Sequence, residues 1–208
     1  MKIKALMAAG CALAGLAGAA PASAATNFFT NFDSLSIDTG SWTVVQSIEG
    51  WTTTAGAGIE VQNHAAGSPY SEPNLVELDS YNNSTMSRMI DAGKYVLTLK
   101  GSGRPGVPSS SSVLEVLING SVISSGALDG SNLTDTSWVD GYVAFTIGTA
   151  SLLSLRAAGT DDSYGIYIDD VRLAGTGVPE PAAWALMLAG FGLVGSAMRR
   201  RGLHTVTA

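Results

Sequence analysis

Two uncharged apolar runs, Leu6–Ala20 and Ala182–Met198, lie near the ends of this 208-residue chain and confine any water-soluble fold to the stretch between them. The first run follows Lys2 and Lys4 and leads into Ala22-Ser23-Ala24. A short positive region, a short apolar core and small residues at the signal-peptidase spacing form a secretory signal peptide. It covers residues 1–24 as a helix cut after Ala24, so that Ala25 opens the mature chain. The competing reading, a retained membrane helix, fits the Ala-Ser-Ala step poorly.

The second run has 17 residues between Pro181 and Arg199. A helix of that length spans roughly 25 Å, enough for a thin or locally adjusted bilayer. Gly190, Gly192 and Gly195 weaken it as a soluble helix but are frequent in membrane helices. Arg199, Arg200 and Arg201 should remain cytoplasmic. A single transmembrane helix at about 182–198 is therefore expected, with residues 204–208 as a cytoplasmic tail.

The order Val178-Pro179-Glu180-Pro181, apolar helix, Arg199-Arg200-Arg201 resembles the PEP-CTERM sorting tail of bacterial exported proteins, here 178–203. The resemblance implies an exosortase-type membrane transpeptidase that processes the chain near Pro179, Glu180 and Pro181. It also implies a transient inner-membrane anchor. The destination would be the outer envelope, or the extracellular matrix and biofilm, of a Gram-negative-type bacterium.

Setting both ends aside leaves residues 25–177, about the size of one domain. Five of the eleven Lys and Arg lie in the ends, so this domain holds six basic residues against sixteen acidic ones, a formal charge of −10. Such a surface repels nucleic acid and anionic lipid and suits divalent cations or neutral sugars. The single cysteine, Cys11, falls in the signal peptide, which leaves the domain without disulfide or thiol chemistry.

Short β-branched and aromatic runs between Gly, Ser, Asn and Asp turns predict β structure throughout the domain. Strands are expected at 42–48, 58–62, 74–78, 86–90, 95–99, 113–118, 121–123, 138–147, 151–156 and 165–173. The 138–147 run is expected to break at Asp140-Gly141, and Asn119-Gly120 predicts a tight hairpin. The fold class expected is all-β, a β-sandwich of the jelly-roll kind. Asn31-Phe32-Asp33 with Gly40-Ser41-Trp42, and the closing Ile166-Tyr167-Ile168-Asp169-Asp170-Val171-Arg172-Leu173, resemble the ends of galactose-binding-like jelly rolls, which include carbohydrate-binding modules. In that family the first and last strands often share a structural calcium ion. The resemblance assigns it here to Asp33, Asp169 and Asp170, although Asp33 stands where Glu is usual. Adjacent aspartates on a strand point to opposite faces, so at most one of Asp169 and Asp170 would lie directly at the ion.

A pyranose offers an apolar face and an edge of hydroxyls, so a sugar site needs aromatic platforms beside polar groups. Trp51, Tyr81, Trp138 and Tyr164 are the candidates, with Tyr70 also near a loop; Trp42 is assigned to the core by its place in the opening motif. Support for catalysis is thin. His64 is the only histidine of the domain, and no Gly-x-Ser-x-Gly elbow or His/Cys metal cluster occurs. Glu60 and Glu77 are the carboxylates that could act on a glycosidic bond. The expected role is a non-catalytic surface or matrix protein that binds extracellular polysaccharide. The alternatives are a structural or adhesive matrix protein without a defined ligand, or a polysaccharide hydrolase.

Overall fold

The computed structural model describes residues 24–176 and a separate C-terminal helix. Residues 1–23 of the signal peptide, Ala22 among them, the Pro179-Glu180 step and the 204–208 tail lie outside the described residues. The helix, α1 (Pro181–Arg201), covers the expected membrane segment. Among the described residues, however, no helix is long and apolar enough to cross a membrane.

The domain is an antiparallel β-sandwich. Its strands are β1 (Phe28–Thr30), β2 (Ser41–Val45), β3 (Ser47–Ile48), β4 (Trp51–Ala55), β5 (Ile59–Asn63), β6 (Leu75–Glu77) and β7 (Thr85–Ile90). They continue as β8 (Gly93–Ser102), β9 (Val113–Ile118), β10 (Ser121–Ala127), β11 (Val139–Ile147), β12 (Ser151–Ala157) and β13 (Tyr167–Thr176). One sheet runs β11-β8-β13-β6-β5-β2, with β1 also paired to β13; the other runs β10-β9-β12-β7-β4-β3. The β9–β10 hairpin turns at Asn119 and Gly120, both in the left-handed region at φ 49° and 81°, as a type I′ turn demands.

Alternation along the strands sends one set of side chains between the sheets. Ile59, Val61, Val76, Leu97, Ile168 and Val171 from the first sheet meet Trp51, Met86, Ile90, Leu153 and Leu155 from the second. The stretch expected as one strand at 42–48 divides instead. β2 belongs to the first sheet and β3 to the second, so the chain crosses the sandwich at Gln46. The expected break at Asp140-Gly141 does not occur, because both residues keep continuous register with β8.

The outer face of the first sheet is also buried where β5, β6 and the start of β13 lie side by side, and there the buried layer is largely polar. Glu60 and Glu77 sit opposite each other on β5 and β6, with Gln62 beside them and Tyr167 opposite Glu77. Glu77 Oε2 accepts hydrogen bonds from Gln62 Nε2 at 2.7 Å and Arg104 Nη1 at 2.6 Å, while Oε1 accepts from the Gly165 N–H. Gln62 Nε2 also donates to Glu60 Oε1 at 2.7 Å, and the Tyr167 hydroxyl donates to Gln62 Oε1 at 3.1 Å. Burial pushes the Glu77 carboxyl up to about 8, against the pull of the Arg104 guanidinium and the Gly165 N–H. Burial likewise raises the Tyr167 phenol.

Two stability predictions follow from these two layers. Leu155, fully buried between the sheets, should cost about 2–5 kcal/mol when cut to alanine, read by urea denaturation. A buried carboxyl with a raised folded pKa is neutral in both states at low pH and penalises the fold as pH climbs from the unfolded to the folded value. Removing Arg104 extends that penalty upward. Arg104→Ala should therefore destabilise by about 3 kcal/mol near pH 9 and by measurably less near pH 6, where Glu77 can take a proton. A cost that stays flat across this range would refute the pairing.

Candidate functional site

The outer face of the first sheet is partly roofed by the segments that follow β5, β8 and β10, and their attachment is specific. The Asp169 carboxylate on β13 accepts the backbone N–H groups of Tyr70 and Ser71 through Oδ2, both at 2.9 Å. Burial lifts this carboxyl to about 6, against the pull of the Ser71 and Asp170 N–H groups that favour its charge. One residue pair further along the roof, Ser68 gives its N–H and hydroxyl to the two oxygens of Asp135, each at 2.8 Å. The Ser68 carbonyl in return accepts from Thr136 Oγ1 at 2.6 Å and Trp138 Nε1 at 3.1 Å.

These ties fix an aromatic corner. Tyr70 and Trp138 meet edge to face with centroids 6.2 Å apart. Lys100 Nζ lies 4.3 Å from the Tyr70 ring centroid and 2.7 Å from Asp140 Oδ1. A second exposed pair, Trp42 and Tyr81, meets at 6.1 Å near the other edge of the sheet. Tyr164 stands with them as a third platform, over the Arg104 guanidinium at 4.7 Å. Trp42 on β2 and Lys100 on β8 are four strand spacings apart, roughly 19 Å. The face is therefore an extended surface with platforms at both ends and buried, paired polar groups beneath.

Two aromatic expectations exchange places. Trp51 is fully buried, its ring edge-on to Phe28 at 5.6 Å and its Nε1 donating to Thr30 Oγ1 at 3.2 Å, so it offers no ligand surface. Trp42, assigned to the core from the opening motif, is 48% exposed. Register shows why: Trp42 pairs with Gln62 and shares its outward face, whereas Thr43 and Val45 point inward with Val61 and Ile59. Tyr81 and Tyr164 are exposed and Trp138 is half-buried. The carboxylates considered for hydrolysis, Glu60 and Glu77, are buried partners that share one glutamine and do not flank an open cleft. His64 pairs with Asn63 Oδ1 at 2.9 Å and Glu72 at 3.3 Å.

The cation residues also differ from expectation. A bulge between Asp169 and Arg172 puts Asp170 in the left-handed region at φ 46° and breaks the alternation assumed for adjacent aspartates. The Ser71 hydroxyl consequently lies within hydrogen-bonding distance of both carboxylates, 3.1 Å from Asp169 and 2.8 Å from Asp170. Asp169 is fully engaged as the roof anchor. Asp33 Oδ1 accepts the Asn74 N–H at 3.0 Å. Its carboxyl is raised by burial and further by the charges of Glu49, Asp170 and Glu72. Among the described residues, no three His, Cys, Asp or Glu gather closely enough to hold a metal as they stand.

The PEP-CTERM protein-sorting motif matches residues 177–201. No curated protein matches. Among solved structures, the K1 cleaved adhesin domain of Lys-gingipain from Porphyromonas gingivalis W83 aligns at TM-score 0.53 and 15% identity, over 73% of this chain and 99% of that one. The K2 cleaved adhesin domain of Lys-gingipain aligns at TM-score 0.52 and 17% identity, over 71% and 97%. A more distant likeness is the CBM22-1 xylan-binding domain of Paenibacillus barcinonensis Xyn10C, at TM-score 0.47 and 13% identity, over 76% and 99%. The chain thus joins a β-sandwich domain to a PEP-CTERM sorting motif, the mark of an exported protein.

Proposed function

We propose that this protein is an exported, non-catalytic surface or matrix component whose sandwich binds extracellular polysaccharide along the outer face of the first sheet. The observation that carries the reading is the set of exposed rings Trp42, Tyr81, Tyr164 and Tyr70 on one side of the domain, with half-buried Trp138 beside Tyr70. Flat rings stack on the apolar faces of sugar rings, and the neighbouring Lys100 and Asp140 can meet hydroxyls. The formal charge of −10 favours a neutral glycan over an acidic one. Positions along the tail take the roles implied by its family. An exosortase-type transpeptidase acts near Pro179-Glu180-Pro181, α1 holds the chain transiently in the inner membrane with Arg199–Arg201 inside, and signal peptidase removes the leader. The mature chain then resides in the outer envelope or matrix.

We further propose the structural calcium ion that the resemblance assigns to Asp33, Asp169 and Asp170. The Ser71 hydroxyl lies 3.1 Å from Asp169 and 2.8 Å from Asp170, which brings these two carboxylates side by side, and the charge of Asp170 reaches Asp33. A hard cation with oxygen ligands would relieve that repulsion once the side chains close on it. It would stabilise the fold and take no part in chemistry.

Two measurements test these readings. In affinity electrophoresis against a panel of polysaccharides, Trp42→Ala should weaken retardation by about tenfold or more while leaving the melting temperature nearly unchanged, and Trp138→Ala should weaken it as much but also lower the melting temperature, because its Nε1 bond to the Ser68 carbonyl is lost. Retardation by no glycan, from well-folded protein, would leave the purely structural matrix role. In calorimetry, calcium should raise the melting temperature of the wild type over chelator-treated protein, and Asp33→Asn should abolish that rise. Equal melting in both conditions overturns the ion.

A further inference from the structure

The end strands of the two sheets are protected unequally. β3 has two residues, and β10 carries a register shift between Val122 and Ser124, a bulge that spoils it as a template. β2 has five residues and ends where the chain leaves for the other sheet at Gln46, whose carbonyl accepts the Thr53 N–H. β11 has nine residues in unbroken register with β8 and contains no proline, lysine or arginine. Among the described residues it pairs with β8 alone, so one row of its backbone groups has no strand partner. Val139 and Tyr142 on this strand are exposed. Val122 and Ile123, also exposed, belong to β10, and β10 and β11 border the same apolar cavity of about 180 Å³.

We propose that β11 is a self-association edge, at which two copies of this chain pair antiparallel about a two-fold axis through Val143. The sequence Val139-Asp140-Gly141-Tyr142-Val143-Ala144-Phe145-Thr146-Ile147 is complementary to itself in that register. Tyr142 faces Ala144 of the second copy, and Phe145 faces Gly141, so each ring lies opposite a small residue. Val139 faces Ile147, and Asp140 faces Thr146, which keeps like charges from direct opposition. Charge argues for the same occupant. The domain is strongly acidic overall, yet β11 bears one charge, and Asp140 is already neutralised by Lys100 at 2.7 Å. Two acidic copies can therefore approach along this flank with little repulsion, and their first sheets become one continuous sheet.

Cysteine cross-linking tests the register in the full chain, purified in detergent with Cys11→Ser as background. Val143→Cys should give a covalent dimer on mild oxidation, since only a residue on the axis meets its own copy within disulfide reach. Thr146→Cys, on the same strand but opposite Asp140, should not. Sedimentation of Ala144→Asp, an exposed change that sets a charge against Tyr142 of the second copy, should show the dimer dissociating at least tenfold more readily than wild type. Circular dichroism confirms that the sheet persists. A wild-type monomer overturns the proposal, as does a dimer indifferent to Ala144→Asp, which assigns association to α1. Equal cross-linking from positions 143 and 146 also overturns it.

Discussion

Everything on the outer face depends on a buried carboxylate, Glu77, being satisfied where water cannot reach it. Three donors converge on it, from Gln62, Arg104 and the Gly165 backbone, and each comes from a different part of the chain. An unpaired charge at that depth would cost more than any single contact in the apolar core returns. The requirement therefore acts on distant segments at once. Arg104 must lie across the sheet, the 159–165 loop must close over it, and Tyr164 is carried to its exposed position as a result. The apolar layer between the sheets supplies stability, while this polar layer dictates the arrangement of the roof.

The same logic operates at Asp169. A carboxylate that collects the Tyr70 and Ser71 amides spares the roof from finding partners in solvent, and it holds Tyr70 where Trp138 can meet it. These rings are thus held in place by the fold itself, which would reduce the ordering cost of the binding proposed for this face. Sorting is a separate property. It resides in a short motif at 177–201 that shares no residue with the face. The sorting motif and the face can accordingly be altered independently.

How much of this was legible in the sequence depends on what signalled each part. Local chemistry was readable. Asn119-Gly120 announced its hairpin, β9 is bounded as expected at 113–118, and the tail was recognisable from three adjacent features. Long-range pairing was not. β1 is three residues long, and β4 reads Trp-Thr-Thr-Thr-Ala with little aliphatic alternation, so neither stood out as a strand. The tryptophans exchanged roles because a strand's inward parity is set by its partner, and β2 takes its parity from β5. The bulge at Asp170 was equally hidden, and with it the shared grip of two aspartates on Ser71. The Glu77 network joins residues from four separate segments, so nothing in their spacing reveals it.

The last strand, β13, has a mechanical consequence. It runs ten residues through the interior of the first sheet, with β8 along one side and β1 and β6 along the other, all antiparallel. The path toward the sorting motif leaves from its end at Thr176. Tension applied through that end and directed along the strand loads β13 parallel to its own axis. Its ladder bonds are then loaded together in shear; they cannot be peeled apart one after another. A domain tethered by its C-terminal side and gripped on its outer face would meet drag with the direction of pull in which a β-sheet resists best.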